Sequence, residues 1–480
     1  MPTFNLIGPS YIEQSINIDA QKTVNMYIIY DKSSPKQISF APFPGLKKEI
    51  ELNSTKNGVR SLYAYLNNLY SVCGDSVYSL DSLLNKTKIG KLDTDQSLIS
   101  VSNNTTQLFL VDGNAGYVYT FSTGEFVKVT DQYFPSDPLM IAYLDGFFAV
   151  CVRNSNIWYL SAQGDATTWP QGSNALLESR PDTFMGIATI NQRVILFGHI
   201  SCEIWYNAGN ADFPFSRNNN LIFEYGCAAS GSIAKGFGQL FWMAADQNGV
   251  SSVMMTDGGT PNKISTEAIE VKLRNAVKVD DAIGFSFKEA GHVFYLLTLP
   301  TENITFLYDL TASSDLQMQC WYNVEMLDGN YYIAKSHAYF FGKHLVGSSI
   351  SPTIYELSNK HYTNDGEAIK RERISTHLVA ADDNYISISK LQISTQSGVC
   401  NPNPMGDEPN IFLSISNDLG HTYGRENKIK MGKIGQYKYK AMIYNIGTNY
   451  SYTFKIKHYD PTPLFITGAS IEYMVNKSDN

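Results

Sequence analysis

The chain has 480 residues, which is too long for one ordinary compact core and predicts two domains or one large repeat architecture. Hydrophobic residues make up 43% and charged residues only 17%, a balance that excludes a largely disordered chain. The formal net charge of −8 argues against a protein that coats nucleic acid, because such proteins carry a basic surplus that displaces counterions from phosphates.

The N-terminal 45 residues are rich in Pro and Asn and are predicted to form an extended arm. Within this arm, VNMYIIY at 24–30 has strand character and is a candidate to close the last unit of the repeat that follows. The sequence opens with no basic region followed by an apolar one, and no apolar run reaches 18 residues. We therefore expect neither a signal peptide nor a membrane anchor, and folding in a reducing cytosol.

A hairpin pattern begins at residues 69–80, LYSVCGDSVYSL, where two apolar runs flank a turn of Gly and Asp. The same pattern returns along the chain, with first strands at residues 69, 108, 147, 194, 240, 293 and 344. This spacing matches the roughly 40 to 50 residues of a four-stranded propeller blade. The sequence therefore predicts an all-β fold with a seven-bladed β-propeller over 46–360. A meander or sandwich of unrelated hairpins is the alternative.

The repeat is followed by a polar, charged passage at 361–373, which is predicted to be a linker. It ends in a short basic run, in which Lys370, Arg371 and Arg373 are candidates for contact with a partner protein. Residues 374–480 then show strands that alternate between apolar and polar residues, as expected when one face is buried. Five or six such strands predict a C-terminal β-sandwich or jelly-roll-like domain.

The segment SNDLGHTY carries Ser416, Asp418, Gly420, Thr422 and Tyr423 in the pattern S-x-D-x-G-x-T followed by an aromatic residue. This pattern is similar to the Asp-box of sialidases and related propellers. In such a turn the Asp and Ser side chains bind backbone N–H groups, while Gly adopts the special φ. The pattern occurs once, outside the predicted propeller, so we interpret it as a structural turn motif.

No catalytic or metal-binding constellation emerges from the remaining residues. His337 and His344 are seven residues apart and lack metal-ligand spacing on one element. The six cysteines include no C-x-x-C pair, so buried free thiols are expected at Cys73, Cys151, Cys202, Cys227, Cys320 and Cys400. We predict that the protein is not an enzyme and uses no cofactor.

Several ordered segments resemble the tail hub proteins of short-tailed bacteriophages, also called packaged DNA stabilisation proteins. The segments are VNMY (24–27), FPGL (43–46), GVRSLYAYLNNLYSVCGDSVY (58–78), SRPDTFMGIATINQRVILFGHISCEIWYN (179–207), DLTASSDLQMQCWY (309–322) and LSISNDLGHTYGREN (413–427). The similarity runs from about residue 15 to the C-terminus.

This resemblance implies a structural role at the tail vertex of a virion, after synthesis in the host cytoplasm. Family members form a ring, a homohexamer, between a portal-bound adaptor protein and the tail needle, with tailspikes attached at the side. They close the channel after packaging, retain the DNA and form part of the ejection conduit without sequence-specific DNA binding. The family has no catalytic residues to transfer to this chain.

Two other functions remain open from the residues alone. One is a glycan-binding or glycan-cleaving propeller of a phage tail, and the other is a host-type scaffold propeller that binds peptides. The missing Trp-Asp and Gly-His repeat signatures count against the scaffold propeller. For the tail hub, we further hypothesise that the C-terminal sandwich and the 370–373 run contact another tail component.

Overall fold

In the computed structural model, residues 3–53, 57–178, 180, 182–249, 251–380, 384–399 and 408–476 are described. Regular structure in these residues is mostly β-sheet, because the β-branched and aromatic residues that fill the strands pack well on a pleated surface. Two short α-helices and one 3-10 helix at Ser230–Ser232 complete it. Five of the six cysteines are buried and free, which confirms that prediction for them. Cys400 lies outside the described residues.

The strands fall into three groups along the chain. Six form in the N-terminal segment: β1 (Thr3–Phe4), β2 (Tyr11–Ile12), β3 (Ala20–Val24), β4 (Met26–Tyr30), β5 (Ile38–Pro42) and β6 (Gly45–Glu51). The repeat region contains β7 (Val59–Tyr65), β8 (Asn68–Cys73), β9 (Ser76–Leu80), β10 (Lys86–Lys91), β11 (Ser100–Asn103), β12 (Gln107–Val111), β13 (Gly116–Thr120), β14 (Glu125–Lys128), β15 (Pro138–Leu144), β16 (Phe147–Val152), β17 (Ile157–Leu160), β18 (Asn174–Leu176), β19 (Phe184–Ile190), β20 (Arg193–Gly198), β21 (Cys202–Asn207), β22 (Phe215–Phe223), β23 (Ala234–Gly236), β24 (Gln239–Ala245), β25 (Ser251–Thr256), β26 (Asn262–Lys263), β27 (Ile283–Glu289), β28 (His292–Leu299), β29 (Ile304–Asp309), β30 (Trp321–Asn323), β31 (Ala334–Phe340), β32 (Lys343–Ser348) and β33 (Thr353–Ser358). The C-terminal group contains β34 (Thr363–Asn364), β35 (Glu367–Ala368), β36 (Arg371–Ile374), β37 (Leu378–Val379), β38 (Tyr385–Thr395), β39 (Asn410–Ser416), β40 (Asn427–Lys430), β41 (Ala441–Asn449), β42 (Ser451–His458) and β43 (Ile466–Asn476). Helix α1 (Glu267–Arg274) lies between β26 and β27, and α2 (Leu310–Leu316) lies between β29 and β30.

The repeat region folds into seven four-stranded antiparallel units. Units 1 to 6 are β7–β10, β11–β14, β15–β18, β19–β22, β23–β26 and β27–β30, and unit 7 joins β31–β33 to β6. Each of the seven predicted first strands begins within one residue of the start of an observed strand. That observed strand is the second strand of its unit. In the first hairpin Cys73 pairs with Ser76, so that Gly74 and Asp75 form the turn, with Gly74 at a φ of +56°.

The units are arranged in a closed ring, because each consecutive pair encloses its own apolar cluster. Units 6 and 7 share a cluster with the C-terminal domain. The ring closes where Ala338 and Phe340 of unit 7 pack with Val59 and Leu62 of unit 1. First strands contact each other in most neighbouring pairs of units, as β31 does β7, so these strands lie around the axis of the ring. The fold class predicted from the sequence, a propeller followed by a sandwich, is confirmed.

The strand that completes unit 7 is β6, not the predicted segment 24–30. Strand β6 pairs with β33 from Gly45 opposite Ser358 to Glu51 opposite Thr353. Residues 26–30 instead form β4, which pairs with β5 in the C-terminal domain. Met26, Tyr27 and Ile28 are buried there, and this apolar run suits a strand that is covered on both faces.

The C-terminal domain is a sandwich of two sheets that include strands from the N-terminal segment. The first sheet has the order β4-β5-β43-β38-β41, with β1 beside β43. The second has the order β3-β36-β42-β39-β40, with β2 beside β3 and β37 beside β42. The predicted extended arm at 1–45 therefore belongs largely to the sandwich, whose strands come from both ends of the chain.

The propeller and the sandwich are joined through one continuous sheet. Val24 of β3 lies opposite Asn323 of β30 in a parallel pair, which connects the second sandwich sheet to unit 6. Residues 361–373, which the sequence predicts to be a linker, instead contain β34, β35 and the start of β36. Strand β34 pairs with β6, and β36 pairs with β42 of the sandwich.

Candidate functional site

The basic run at 370–373 lies at the junction of propeller and sandwich, within or next to β36. Strand β36 pairs with β3 on one side and with β42 on the other, so alternate residues point to opposite faces of the sheet. Arg371 and Arg373 both have an exposed fraction of 0%. These two guanidinium groups therefore lie inside the fold and do not form the predicted surface for a partner. Contact through Lys370 stays a prediction.

Arg373 binds the N-terminal segment to the sandwich core. Its Nε donates to the backbone O of Leu6 at 2.6 Å, and its Nη1 donates to the backbone O atoms of Gly8 and Pro9 at 3.0 and 3.1 Å. Further acceptors are Thr23 Oγ1 at 3.0 Å and Gln21 Oε1. Burial lowers the pKa of Arg373 to about 9. These five acceptors satisfy a charged group that would otherwise be costly to bury.

Arg371 lies two residues earlier on the same face, but it lacks the hydrogen bonds that Arg373 makes. None of its three guanidinium nitrogens has a hydrogen-bond partner among the described residues. Burial lowers the pKa of Arg371 to about 10. The residue opposite it on β42 is His458, which is also fully buried. One buried arginine is thus fully bonded, while its neighbour carries an uncompensated charge.

His458 makes the junction sensitive to acid. Its Nδ1 lies 2.9 Å from the backbone O of Asn410 and its Nε2 lies 3.1 Å from Thr462 Oγ1, which suits a neutral ring that donates once and accepts once. Burial, together with the positive charge of Arg371, lowers the pKa of His458 from 6.5 to about 4. Between these values the unfolded chain binds a proton that the folded chain does not, so stability falls as the pH falls.

We expect His458→Asn to reduce the loss of stability between pH 6.5 and 4 by up to about 3 kcal/mol. The measurement is urea-induced unfolding at several pH values, since a neutral side chain cannot take up the proton. His199→Asn is the matched control, because His199 is exposed. Equal acid sensitivity in the parent and the His458 variant would contradict the expectation.

A bridging carboxylate fixes three segments at the same junction. Glu325, which follows β30, binds Lys22 Nζ at 2.6 Å and Lys370 Nζ at 2.8 Å. Burial opposes the charged form of Glu325, but the two ammonium groups outweigh it, so its pKa lies below the ordinary value. Asn25 Nδ2 donates to the backbone O atoms of Glu325 and Lys370, each at 2.8 Å. The N-terminal segment, unit 6 and β36 are therefore held as one body.

The predicted turn motif follows β39 and has the expected hydrogen bonds. Ser416 Oγ donates to Asp418 Oδ1 at 2.6 Å and accepts from Gly420 N at 2.9 Å. Asp418 accepts from Thr422 N and Thr422 Oγ1, and these side-chain and backbone bonds hold the pKa of Asp418 well below its usual range. Gly420 has a φ of +88°. His421 Nε2 lies 2.7 Å from Asn17 Oδ1, so the turn also contacts the N-terminal segment.

We expect Ser416→Ala to lower the free energy of unfolding by about 1 kcal/mol, because backbone N–H groups of the turn lose a buried acceptor. The measurement is the urea midpoint of the full chain. Ser414→Ala is the matched control on the same strand, since the Ser414 hydroxyl makes no hydrogen bond among the described residues. Equal midpoints for the two variants would show that the turn does not depend on this hydroxyl.

A histidine pair that sequence spacing alone did not reveal lies between units 6 and 7. His337 Nε2 and His344 Nδ1 are 2.9 Å apart, and Glu289 Oε2 lies 3.4 Å from His344 Nε2. The residues come together because β31 and β32 form a hairpin in which Tyr339 pairs with His344. Burial, with the nearby His344, lowers the pKa of His337 to about 3. Within the described chain, no group of three or more potential metal ligands is found.

Neither of the two α-helices in the described residues has the length and apolar character needed to span a lipid bilayer.

Two family models match the chain one after the other. The first, described as "Bacteriophage P22 Gp10, beta-propeller", matches residues 8–362. The second, described as "Bacteriophage P22 Gp10, beta-sandwich", matches residues 371–474. A comparison with curated protein sequences found no match. The boundary between the two matches, at 362–371, lies in the short strands that precede β36.

Three solved structures illustrate the fold comparison. The chain is similar to the computationally designed Ika8 protein, with 10% identity, a TM-score of 0.41, and coverage of 65% of this chain and 99% of that chain. The WD40 propeller domain of Doa1 has 12% identity, a TM-score of 0.39, and coverages of 66% and 97%. The Neurospora crassa Pan2 WD40 domain has 6% identity and a TM-score of 0.42, with coverage of 66% of this chain and 94% of that chain. The sheet topology and the family match establish the propeller independently of these three likenesses.

Proposed function

This chain belongs to the bacteriophage P22 Gp10 family, the tail hub and packaged DNA stabilisation proteins of short-tailed phages, and from this membership we propose its role in the virion. It is a structural protein of a phage tail. We propose that it is the tail hub, which closes the portal vertex, retains packaged DNA and forms part of the ejection conduit. The observation that carries this proposal is the succession of the two family matches across both domains.

The physical properties of the chain are compatible with this role. Strands from both ends of the sequence meet in one sandwich, which is joined to the propeller by a continuous sheet. Such a scaffold resists separation of its two domains. The net charge of −8 also suits a protein beside a DNA conduit, because a strongly basic lumen would hold phosphates and hinder passage.

The first test is to locate the protein on purified particles. A short epitope is inserted at Gln171–Gly172, in an exposed loop of unit 3, and in a second virus at Gly435, in an exposed turn of the sandwich. We expect antibody label at one vertex, at the tail, for both insertions. Particles that lack label, although the tagged protein is produced and folded, would overturn the hub assignment.

The second test concerns DNA retention. Particles assembled without this protein are expected to package DNA and then lose it, which electron microscopy scores as the fraction of filled heads. Supplying the intact chain should restore filled heads. Heads that stay filled in its absence would contradict the retention role while leaving a structural role in the tail intact.

We propose that the protein forms a homohexameric ring that contacts a portal-bound adaptor, the tail needle and the tailspikes, while DNA passes without sequence-specific binding. Native mass spectrometry of isolated tails would test this, with six copies expected. Another copy number would overturn the hexamer.

The sandwich is the part of the chain that we assign to contacts within this ring. Tyr444 and Met474 lie on the outer face of its first sheet, with exposed fractions of 57% and 69%. Exposed apolar side chains that share a sheet face are typical of interaction surfaces. A chain truncated near residue 360 is not a usable test, because the N-terminal strands would lose their sandwich partners. The double variant Tyr444→Glu and Met474→Glu should instead stay folded and fail to form the ring.

A further inference from the structure

A pocket opens at one end of the propeller axis. Its volume is about 310 Å³, near the lower end of the roughly 300 to 1,000 Å³ that small-molecule pockets occupy. The lining comes from residues that precede or begin the first strands of units 2, 3, 5, 6 and 7, together with Arg153 from the loop after β16. Because those strands surround the axis, the pocket is the axial mouth of the ring.

Two basic side chains line this pocket without a partner. Lys335, on the first strand of unit 7, and Arg153, in unit 3 across the axis, form no side-chain hydrogen bond or ion pair among the described residues. Burial lowers the pKa of Lys335, and the positive charge of Arg60 adds to the effect. Arg60 itself donates to the backbone O atoms of Gly74, Thr94 and Ser97. Lys335 is half-buried and Arg153 is exposed, so an anion placed here would pair with an ammonium group that the described residues leave without a partner.

An acceptor lies on another side of the same pocket. Asp281 Oδ2 accepts from the backbone N and the hydroxyl of Thr301, at 3.1 and 2.6 Å. Its Oδ1 is buried and has no hydrogen-bond partner among the described residues. The neighbouring Asp280 is paired with Lys278 at 3.7 Å. The pocket thus offers two cationic groups and the Asp281 carboxylate, whose Oδ2 lies at the exposed side, which fits a ligand with complementary groups.

We propose that the axial pocket binds a small ligand whose phosphate or carboxylate is held between Lys335 and Arg153 and whose amine or hydroxyl donates to the Asp281 carboxylate. This site is separate from the sandwich surface assigned to the ring, so the proposal does not depend on the hub role. Lys335 belongs to unit 7 and Arg153 follows a strand of unit 3, so residues of two units that are not adjacent in the ring line the site. Backbone on the rim is tightly packed, since a Cβ on Gly231 would lie 2.7 Å from Ala282 O.

The test uses calorimetric titration of the full chain with two probes, inorganic phosphate and O-phosphoethanolamine, at constant ionic strength. Phosphate supplies only the anion, whereas phosphoethanolamine adds an ammonium donor for Asp281. We expect the second probe to bind about tenfold more tightly, since a charge-assisted hydrogen bond contributes on that order. Equal affinities would remove the role of Asp281.

Variants distinguish specific binding in the axial pocket from a general effect of salt on the protein. Lys335→Met should weaken binding of both probes about tenfold or more, while Asp281→Asn should abolish only the preference for phosphoethanolamine. Lys288→Met is the matched control, because Lys288 is exposed and forms no ion pair among the described residues. Arg153→Met replaces Lys335→Met if the latter fails to fold. No binding by the parent chain, or equal binding by all variants, would overturn the proposal.

Discussion

Replacing Arg373 by methionine is expected to lower the free energy of unfolding by about 3 to 5 kcal/mol. The guanidinium group is fully buried and donates to the backbone O atoms of Leu6, Gly8 and Pro9. Methionine fills a similar volume but leaves these acceptors, with Gln21 Oε1 and Thr23 Oγ1, without their donor. The measurement is urea-induced unfolding followed by tryptophan fluorescence.

Arg371→Met is the matched comparison on the same strand and face. Because its guanidinium nitrogens have no partner among the described residues, methionine removes an uncompensated charge and should leave the stability unchanged or raise it by about 1 kcal/mol or more. Limited proteolysis gives a second measurement, since only loss of Arg373 should release the segment around residues 6–9. Equal losses of stability in both variants would contradict this account of the two arginines.

Gly45→Ala is expected to lower the free energy of unfolding by about 3 kcal/mol, because it overpacks the strand that completes the ring. A Cβ at this position would lie 2.4 Å from the backbone O of His361 and 2.5 Å from that of Thr363. Backbone atoms cannot move aside as a flexible side chain does. Strand β6 would therefore shift away from either the 361–363 segment or its partner β33.

Hydrogen exchange locates the effect of this substitution. Amides of β6 and β33 should exchange faster in the Gly45 variant, whereas amides of unit 3 should change little. Gly424→Ala is the control, because the nearest atom to its Cβ would be Ile415 O at 3.5 Å, an ordinary contact. A Gly45 variant as stable as the Gly424 variant would show that β6 adjusts without cost.

The repeated hairpins could be predicted from the sequence because their signals are local. Turn residues such as Gly74 and Asp75 lie between two alternating apolar runs, and the strands that they connect are neighbours in the chain. The closing strand could not be identified in this way. Segments 24–30 and 45–51 both have strand character, and only their distant partners, β5 and β33, distinguish their sheets.

The junction was harder still to predict, because its charged residues resemble a solvated linker. In the run around Arg371 and Arg373, the charges that pattern analysis places in water are buried by strands from the other end of the chain. Lys370 finds its carboxylate at Glu325, 45 residues away in sequence. The turn at Ser416–Thr422, by contrast, depends on its own residues and was predictable from them.

The contribution of N-terminal strands to the sandwich also determines the order in which a ribosome can complete this fold. Strands β3 and β5 leave the ribosome early, but β36 and β43, with which they pair, are synthesised more than 300 residues later. At roughly 5 to 20 residues per second, this interval lasts about 15 to 60 s or longer. During that time the β4–β5 hairpin has no further sandwich strand to pair with, and β6 waits for β33 in the same way. The protein therefore reaches its native state only after translation is almost complete, and its earliest strands need protection from aggregation until then.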